Sequence, residues 1–184
     1  MFKPKNKYTA IACVNEKCAL GKNGELLYNI KSDMENFKRL TVGNVVIMGR
    51  STFESLPGKK PLKGRINIVL TSNENYFVPD ADEEFKDTYV CKNLEEADNL
   101  CYSMFPDKEL FIIGGAITYE LAFRFDMIDK VILTLVNDDK EGDCYFPPFE
   151  NDEKFRVIFK TLSLRDQPTD TYYHYIVYKK NDGY

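Results

Sequence analysis

Asp33 stands where an apolar residue would be expected. In the stretch LLYNIKSDMENFKRL, residues 26–40, Asp33, Phe37 and Leu40 fall at i, i+4 and i+7, with Met34 beside them. A helix here carries all of them on one face. Two readings fit. Ser32 and Glu35 match the capping pattern S-x-x-E, which makes Asp33 the first helical residue, an acid beside the positive end of the helix dipole. Alternatively, the face lines a pocket and the carboxylate does chemistry there. Taken alone, the stretch favours the capping reading.

The rest of the chain narrows the chemistry. It holds one histidine, His174, inside the aromatic run YYHYIVY, which reads as a packed or edge-strand residue. The five cysteines, Cys13, Cys18, Cys91, Cys101 and Cys144, are odd in number and show no C-x-x-C spacing. This argues against a zinc site and against a Ser/Cys–His pair, and reads as reduced thiols in a cytoplasmic protein. Catalysis would have to rest on carboxylates, hydroxyls or a cofactor. A net charge of -4 argues against a general nucleic-acid or acidic-membrane binder. It leaves room for a local basic pocket.

A second set of residues follows the ends of predicted strands. Gly49-Arg50-Ser51-Thr52 follows VVIM, Thr71-Ser72 follows NIVL, and Gly114-Gly115-Ala116 follows LFII. In an open α/β sheet, ligands bind outside the carboxyl ends of the strands. Glycine-led helix starts let backbone N–H groups reach phosphate oxygens, and an arginine adds forked, charge-assisted contacts. Each signal alone fits a tight turn or a surface arginine. Together they point to a phosphorylated nucleotide, with Arg50 favouring NADP over NAD. Arg65 after Gly64 reads alone as a solvated strand-end arginine. Thr134, within VILTLV, is either a strand-forming residue or a buried hydroxyl seeking a partner.

These residues need a scaffold. Strands are predicted over 8–14, 44–49, 65–72, 88–91, 109–115, 129–136, 155–164 and 171–180. Helices are predicted from Ser32, over STFESL, over NLEEADNLCYSMF and over ITYELAFRF. The order predicts one α/β domain over residues 1–184, with a mixed, mostly parallel sheet and helices on both faces. The last two strands, linked by RDQPTD, should form an antiparallel hairpin at one edge. Residues 73–87 read as an acidic, solvated loop. No apolar run approaches membrane-spanning length, and nothing suggests export.

In order and spacing, the segments YTAIACV, DMENFKR, VVIMGRSTFESL, PLKGRINIVLTS, LFIIGGAITYE, ILTLV and EGDCYFP resemble the dihydrofolate reductase family. The resemblance runs from about Tyr8 to Lys179. It implies an NADPH-dependent enzyme that reduces dihydrofolate to tetrahydrofolate, serves one-carbon metabolism and is an antifolate target. It would be cytoplasmic, monomeric, and without nucleic-acid or membrane partners, and the nearby chain end implies no fused thymidylate synthase.

The resemblance also implies roles. Asp33 is the carboxylate that binds the 2-amino and N3 side of the pterin, and Thr134 is its hydroxyl partner. Phe37 packs on the pterin and benzoyl rings, with Met34 nearby. Ile11, Ala12, Cys13 and Ile113 line the pterin pocket, and Leu56 and Leu62 meet the benzoyl portion. Arg65 pairs with the glutamate α-carboxylate. The NADPH site takes Cys13, Leu20, Gly21, Gly49, Arg50, Ser51, Thr52, Leu70, Thr71, Ser72, Lys92, Ile113, Gly114, Gly115, Ala116, Ile117 and Tyr119, with Arg50 near the 2′-phosphate.

The chain departs from the family where Leu27-Tyr28 replaces Pro-Trp. Tyr28 is expected to take over the tryptophan's hydrogen bond to an ordered water in the site. Ile117 replaces an arginine found in some members. The same resemblance leaves two other readings: a pyrimidine reductase of riboflavin synthesis, and a non-catalytic NADPH- or folate-binding protein on this fold.

Overall fold

The computed structural model describes residues 2–78, 86–149, 153–181 and 183. Of the predicted loop 73–87, residues 79–85 lie outside that set. β1 (Tyr8–Asn15) is the central strand. Its residues are mostly buried, as expected for a parallel strand covered on both faces. β4 (Val45–Gly49), β5 (Ile66–Leu70), β6 (Thr88–Cys91) and β7 (Leu110–Gly114) extend the sheet on one side, and β8 (Ile128–Val136) flanks β1 on the other. All these neighbours pair parallel. β12 (Thr171–Lys180) then pairs antiparallel with β8 and with the edge strand β10 (Phe155–Lys160). The order is β10-β12-β8-β1-β7-β4-β5-β6.

β7 returns between β1 and β4, and the chain then leaves it back across β1 toward β8, whereas it leaves β4 toward β5, so these neighbouring strands are left in opposite directions. That opens a crevice beyond the strand ends. Strand alternation divides the core. Val45 and Ile47 face α3 (Leu94–Met104) and α4 (Ala116–Arg124), through Ala97, Cys101, Tyr119 and Ala122. Val46 and Met48 face α1 (Lys31–Thr41) and α2 (Arg50–Ser55), through Phe37, Leu40 and Phe53. Helices therefore cover both faces, as the sequence predicts.

Three features correct or complete the expected pattern. First, the 155–164 strand breaks, and a separate β11 (Leu164–Asp166) pairs with β12. At the break, the Thr161 hydroxyl takes the Tyr175 N–H at 3.0 Å, a position a strand would fill with a backbone carbonyl. Second, of the two readings of His174 the packed one holds: it is partly buried on β12, an interior strand, with Nδ1 3.3 Å from the Thr161 carbonyl. Third, a small sheet of β2 (Ala19–Lys22), β3 (Glu25–Leu26) and β9 (Cys144–Tyr145) spans the crevice mouth. Its strands are too short to leave a periodic signal. None of the five cysteines forms a disulfide.

Candidate active site

Ile30 and Tyr28, both buried, pack with Val136 and Tyr173 and anchor the chain entering α1. Ser32 does not cap the helix. Residue Ile30 occupies the N-cap without a side-chain bond, and the Ser32 hydroxyl pairs with the Tyr173 hydroxyl at 2.6 Å. The Ser32 cap therefore fails, although Asp33 does fall in the first turn of α1, beside the positive end of its dipole. Asp33 faces β8, where the buried Thr134 hydroxyl donates to its Oδ1. Cys13 lies opposite Thr134 in the β1–β8 register. Burial pushes the Asp33 carboxyl above its usual range, while hydrogen bonds from Thr134 and Cys13 pull the other way. The same burial, with the charges of Asp33 and Asp138, holds the Cys13 thiol well above its usual value.

Asp33 opens into a cleft of about 1550 Å³ over the carboxyl ends of the strands. Every residue assigned above to substrate, cofactor or catalysis lines it, except Thr134 and Arg65. Thr134 sits behind Asp33. Arg65 stands at the rim, with its guanidinium carbon 5.9 Å from the Phe37 ring centre. It donates to the Thr41 hydroxyl at 3.2 Å and the Lys63 carbonyl at 2.8 Å, so its direction is set before any ligand binds. Phe37 is half-buried and Met34 is 45% exposed. This face of α1 is a cleft wall rather than part of the closed core.

At the other end, α2 and α4 start at Gly49 and Gly115, and neither start has a side-chain cap. Their threonines interlock with the facing glycines. A Cβ on Gly115 would stand 3.2 Å from Thr52 Oγ1, and one on Gly49 would stand 3.1 Å from Thr118 Oγ1. Larger residues would push the two helix starts apart. The Gly114–Gly115 peptide is cis. Arg50 lies over the Tyr76 ring at 5.8 Å, with its Nε 3.8 Å from Glu54. Lys92 pairs with Glu74 at 2.5 Å.

Three positioning contacts carried no sequence signal. The Tyr119 hydroxyl donates to the Ile11 carbonyl at 2.7 Å, tying α4 to β1. Buried Asn67 clamps the segment leading to Arg65, accepting from Leu62 N at 2.9 Å and donating to the Leu62 and Arg65 carbonyls at 3.0 Å. Asp138 accepts from the Tyr28 hydroxyl. That last bond corrects an expectation: the Tyr28 hydroxyl is engaged by a carboxylate outside the cleft, so it is not turned toward a water in the site.

A sheet with one topological switch, two open helix starts beside glycines and the sheltered Asp33 carboxylate in the cleft define an α/β nucleotide-binding enzyme domain. The profile of the family described as "Dihydrofolate reductase" matches residues 7–180. The chain is 31% identical to a Bacillus subtilis dihydrofolate reductase over 164 residues, 89% of each chain. It is 34% identical to one from Schistosoma mansoni over 178 residues, 90% of this chain and 89% of that one. A solved dihydrofolate reductase from Enterococcus faecalis, in a complex with NADP(H), superposes with a TM-score of 0.81 at 25% identity. The match covers 98% of this chain and 100% of that one. The chain belongs to the dihydrofolate reductase family.

Proposed function

We propose that this protein reduces 7,8-dihydrofolate to 5,6,7,8-tetrahydrofolate with NADPH, and that Asp33, held by Thr134, is the group that orients the pterin. The observation that carries this reading is the Thr134–Asp33 pair at the floor of the cleft. A sheltered carboxylate with one oxygen held by a hydroxyl presents the rest of its acceptor capacity in a fixed direction. An amidine-like ring edge can meet it with two parallel N–H bonds. The pterin provides that edge, and binding it favours the ionised acid.

The residues present also suit the cofactor. Two uncapped helix starts, with Ser51, Thr52 and the backbone of Gly115 and Ala116, can hold its phosphates. Arg50, Ser72 and Lys92 supply charge and hydroxyl at the far end of the cleft. When bound, NADPH supplies the hydride from its C4 for pterin C6. The chain's own part is positioning and electrostatics. Asp33 fixes the pterin and makes N5 more basic, and water delivers the N5 proton. Phe37, Leu56, Leu62 and Ile113 hold the ring system and exclude bulk water. Arg65 takes the glutamate α-carboxylate.

No helix among the described residues is long and apolar enough to cross a membrane. The reading is completed by a monomer acting in the cytoplasm. The test is the near-ultraviolet absorbance of NADPH mixed with the protein, with and without dihydrofolate. Decay that depends on dihydrofolate is expected. NADPH binding with no decay would overturn the reading.

A further inference from the structure

Asp138 ties Tyr28 and Asn15 together just beyond the end of the β1–β8 ladder. It lies just past β8, partly buried. Its Oδ1 accepts from the Tyr28 hydroxyl and from Asn15 Nδ2 at 3.2 Å, and its backbone carbonyl accepts from Glu16 N at 3.2 Å. Asn15, wholly buried, passes the constraint on. Its Oδ1 accepts from Lys17 N at 3.1 Å and from Ala19 N at 3.0 Å, and its Nδ2 also donates to the Lys140 carbonyl at 2.8 Å. Lys140 closes the cluster, 3.4 Å from Asp138 Oδ2 and 5.3 Å above the Tyr28 ring. Leu20 and Gly21, next along the chain, line the cleft together with Tyr28.

Burial works against the Asp138 charge, but hydrogen bonds from Tyr28, Lys140 N and Asn15 outweigh it and hold its carboxyl below the usual range. The group is an anion at neutral pH, so its bond from Tyr28 is charge-assisted. Nothing in the hydride chemistry calls on this acid.

We infer that Asp138 is a positioning residue: through Tyr28 and Asn15 it latches residues 15–28 over the cofactor end of the cleft. This deepens the proposed function and rests on it. Tyr28 then acts from its ring face on the ligand side, and from its hydroxyl on the latch side. A latched segment slows cofactor escape and keeps the reacting carbons aligned.

The test compares Asp138→Ala, Asp138→Asn, Tyr28→Phe and the double variant Tyr28→Phe/Asp138→Ala. NADPH release is followed by stopped-flow fluorescence, and single-turnover hydride transfer with C4-deuterated cofactor. Asp138→Ala and Tyr28→Phe should each speed release and slow transfer on the order of tenfold. Dihydrofolate affinity should stay within about twofold of the parent. Asp138→Asn keeps an acceptor oxygen and should recover most of both rates. The double variant should be no worse than Asp138→Ala, because both substitutions break one unit. Release and transfer within about twofold of the parent in Tyr28→Phe, or fully additive losses in the double variant, would overturn the inference. Tyr28→Phe removes a single oxygen and keeps the test decisive if Asp138→Ala does not fold. If the parent protein fails to reduce dihydrofolate, the proposed function falls, and NADPH release still reads the latch.

Discussion

The Thr134 hydroxyl donates to the Asp33 carboxylate across 101 residues of sequence, from a buried strand to the first turn of a helix. Replacing Asp33 by Asn keeps the shape and an acceptor for Thr134 but removes the charge proposed to bind the pterin. Turnover at neutral pH should fall on the order of 10²- to 10³-fold, with the fold intact by circular dichroism. Near-parental activity would refute the role.

The same substitution has a stability signature. Burial raises the Asp33 pKa in the ligand-free fold, so the folded state keeps a proton that the unfolded chain releases. The group's contribution is fully present below the unfolded carboxylate value, about pH 4, and is lost as pH rises through the raised folded value. Without ligand at neutral pH, Asp33→Asn should therefore melt above the parent. The gap should close toward about pH 4. Calorimetry across that range checks it; a gap that widens in acid would contradict the sign.

Thr134→Val removes the donor while conserving volume. The carboxyl should move further up, and dihydrofolate should bind on the order of tenfold more weakly. Thr134→Ser keeps the hydroxyl and should stay close to the parent. Equal losses in Val and Ser would assign Thr134 to packing alone.

Arg65 is aimed by Thr41 and the Lys63 carbonyl and sits against the wall that Phe37 forms. Arg65→Ala should weaken folate on the order of tenfold or more, and weaken a pteridine lacking the glutamyl tail far less. Fluorescence titration of both ligands decides this, and equal losses would remove the carboxylate contact.

Arg50 lines the cleft, where, among the described residues, Glu54 and the Tyr76 ring neighbour its charge. Arg50→Ala should raise KM for NADPH on the order of tenfold and leave NADH within about twofold. An unchanged preference would place the 2′-phosphate elsewhere.

Local pattern made much of this architecture readable. Strands Thr88–Cys91 and Thr171–Lys180 end where their apolar, β-rich runs end, and α1, α3 and α4 follow their helical periodicity within about a turn. The gathering of residues 49–52, 71–72 and 114–116 on one cleft follows from strand ends sharing one sheet edge. What was not readable depends on distant partners. Ser32 has the right neighbours for a cap, yet Tyr173, 141 residues away, takes its hydroxyl. The β2–β9 pairing and the Tyr28–Asp138 bond bridge more than a hundred residues and leave no periodic trace. Asp33 was ambiguous for the same reason, because its meaning rests on Thr134.

The Asp33–Thr134 pairing also makes the ligand a participant in folding. Asp33 acquires its sheltered surroundings only once β8 has docked beside β1, and in any species lacking that docking it is an ordinary solvated acid. A pterin therefore recognises the native chain alone. Mass action then draws unfolded and half-folded molecules toward it, by about 2.7 kcal/mol when free ligand is about a hundred times its Kd. Occupancy and survival against proteolysis become one quantity. Inhibitors that seat a cationic ring on Asp33 would raise the steady-state amount of the enzyme they block.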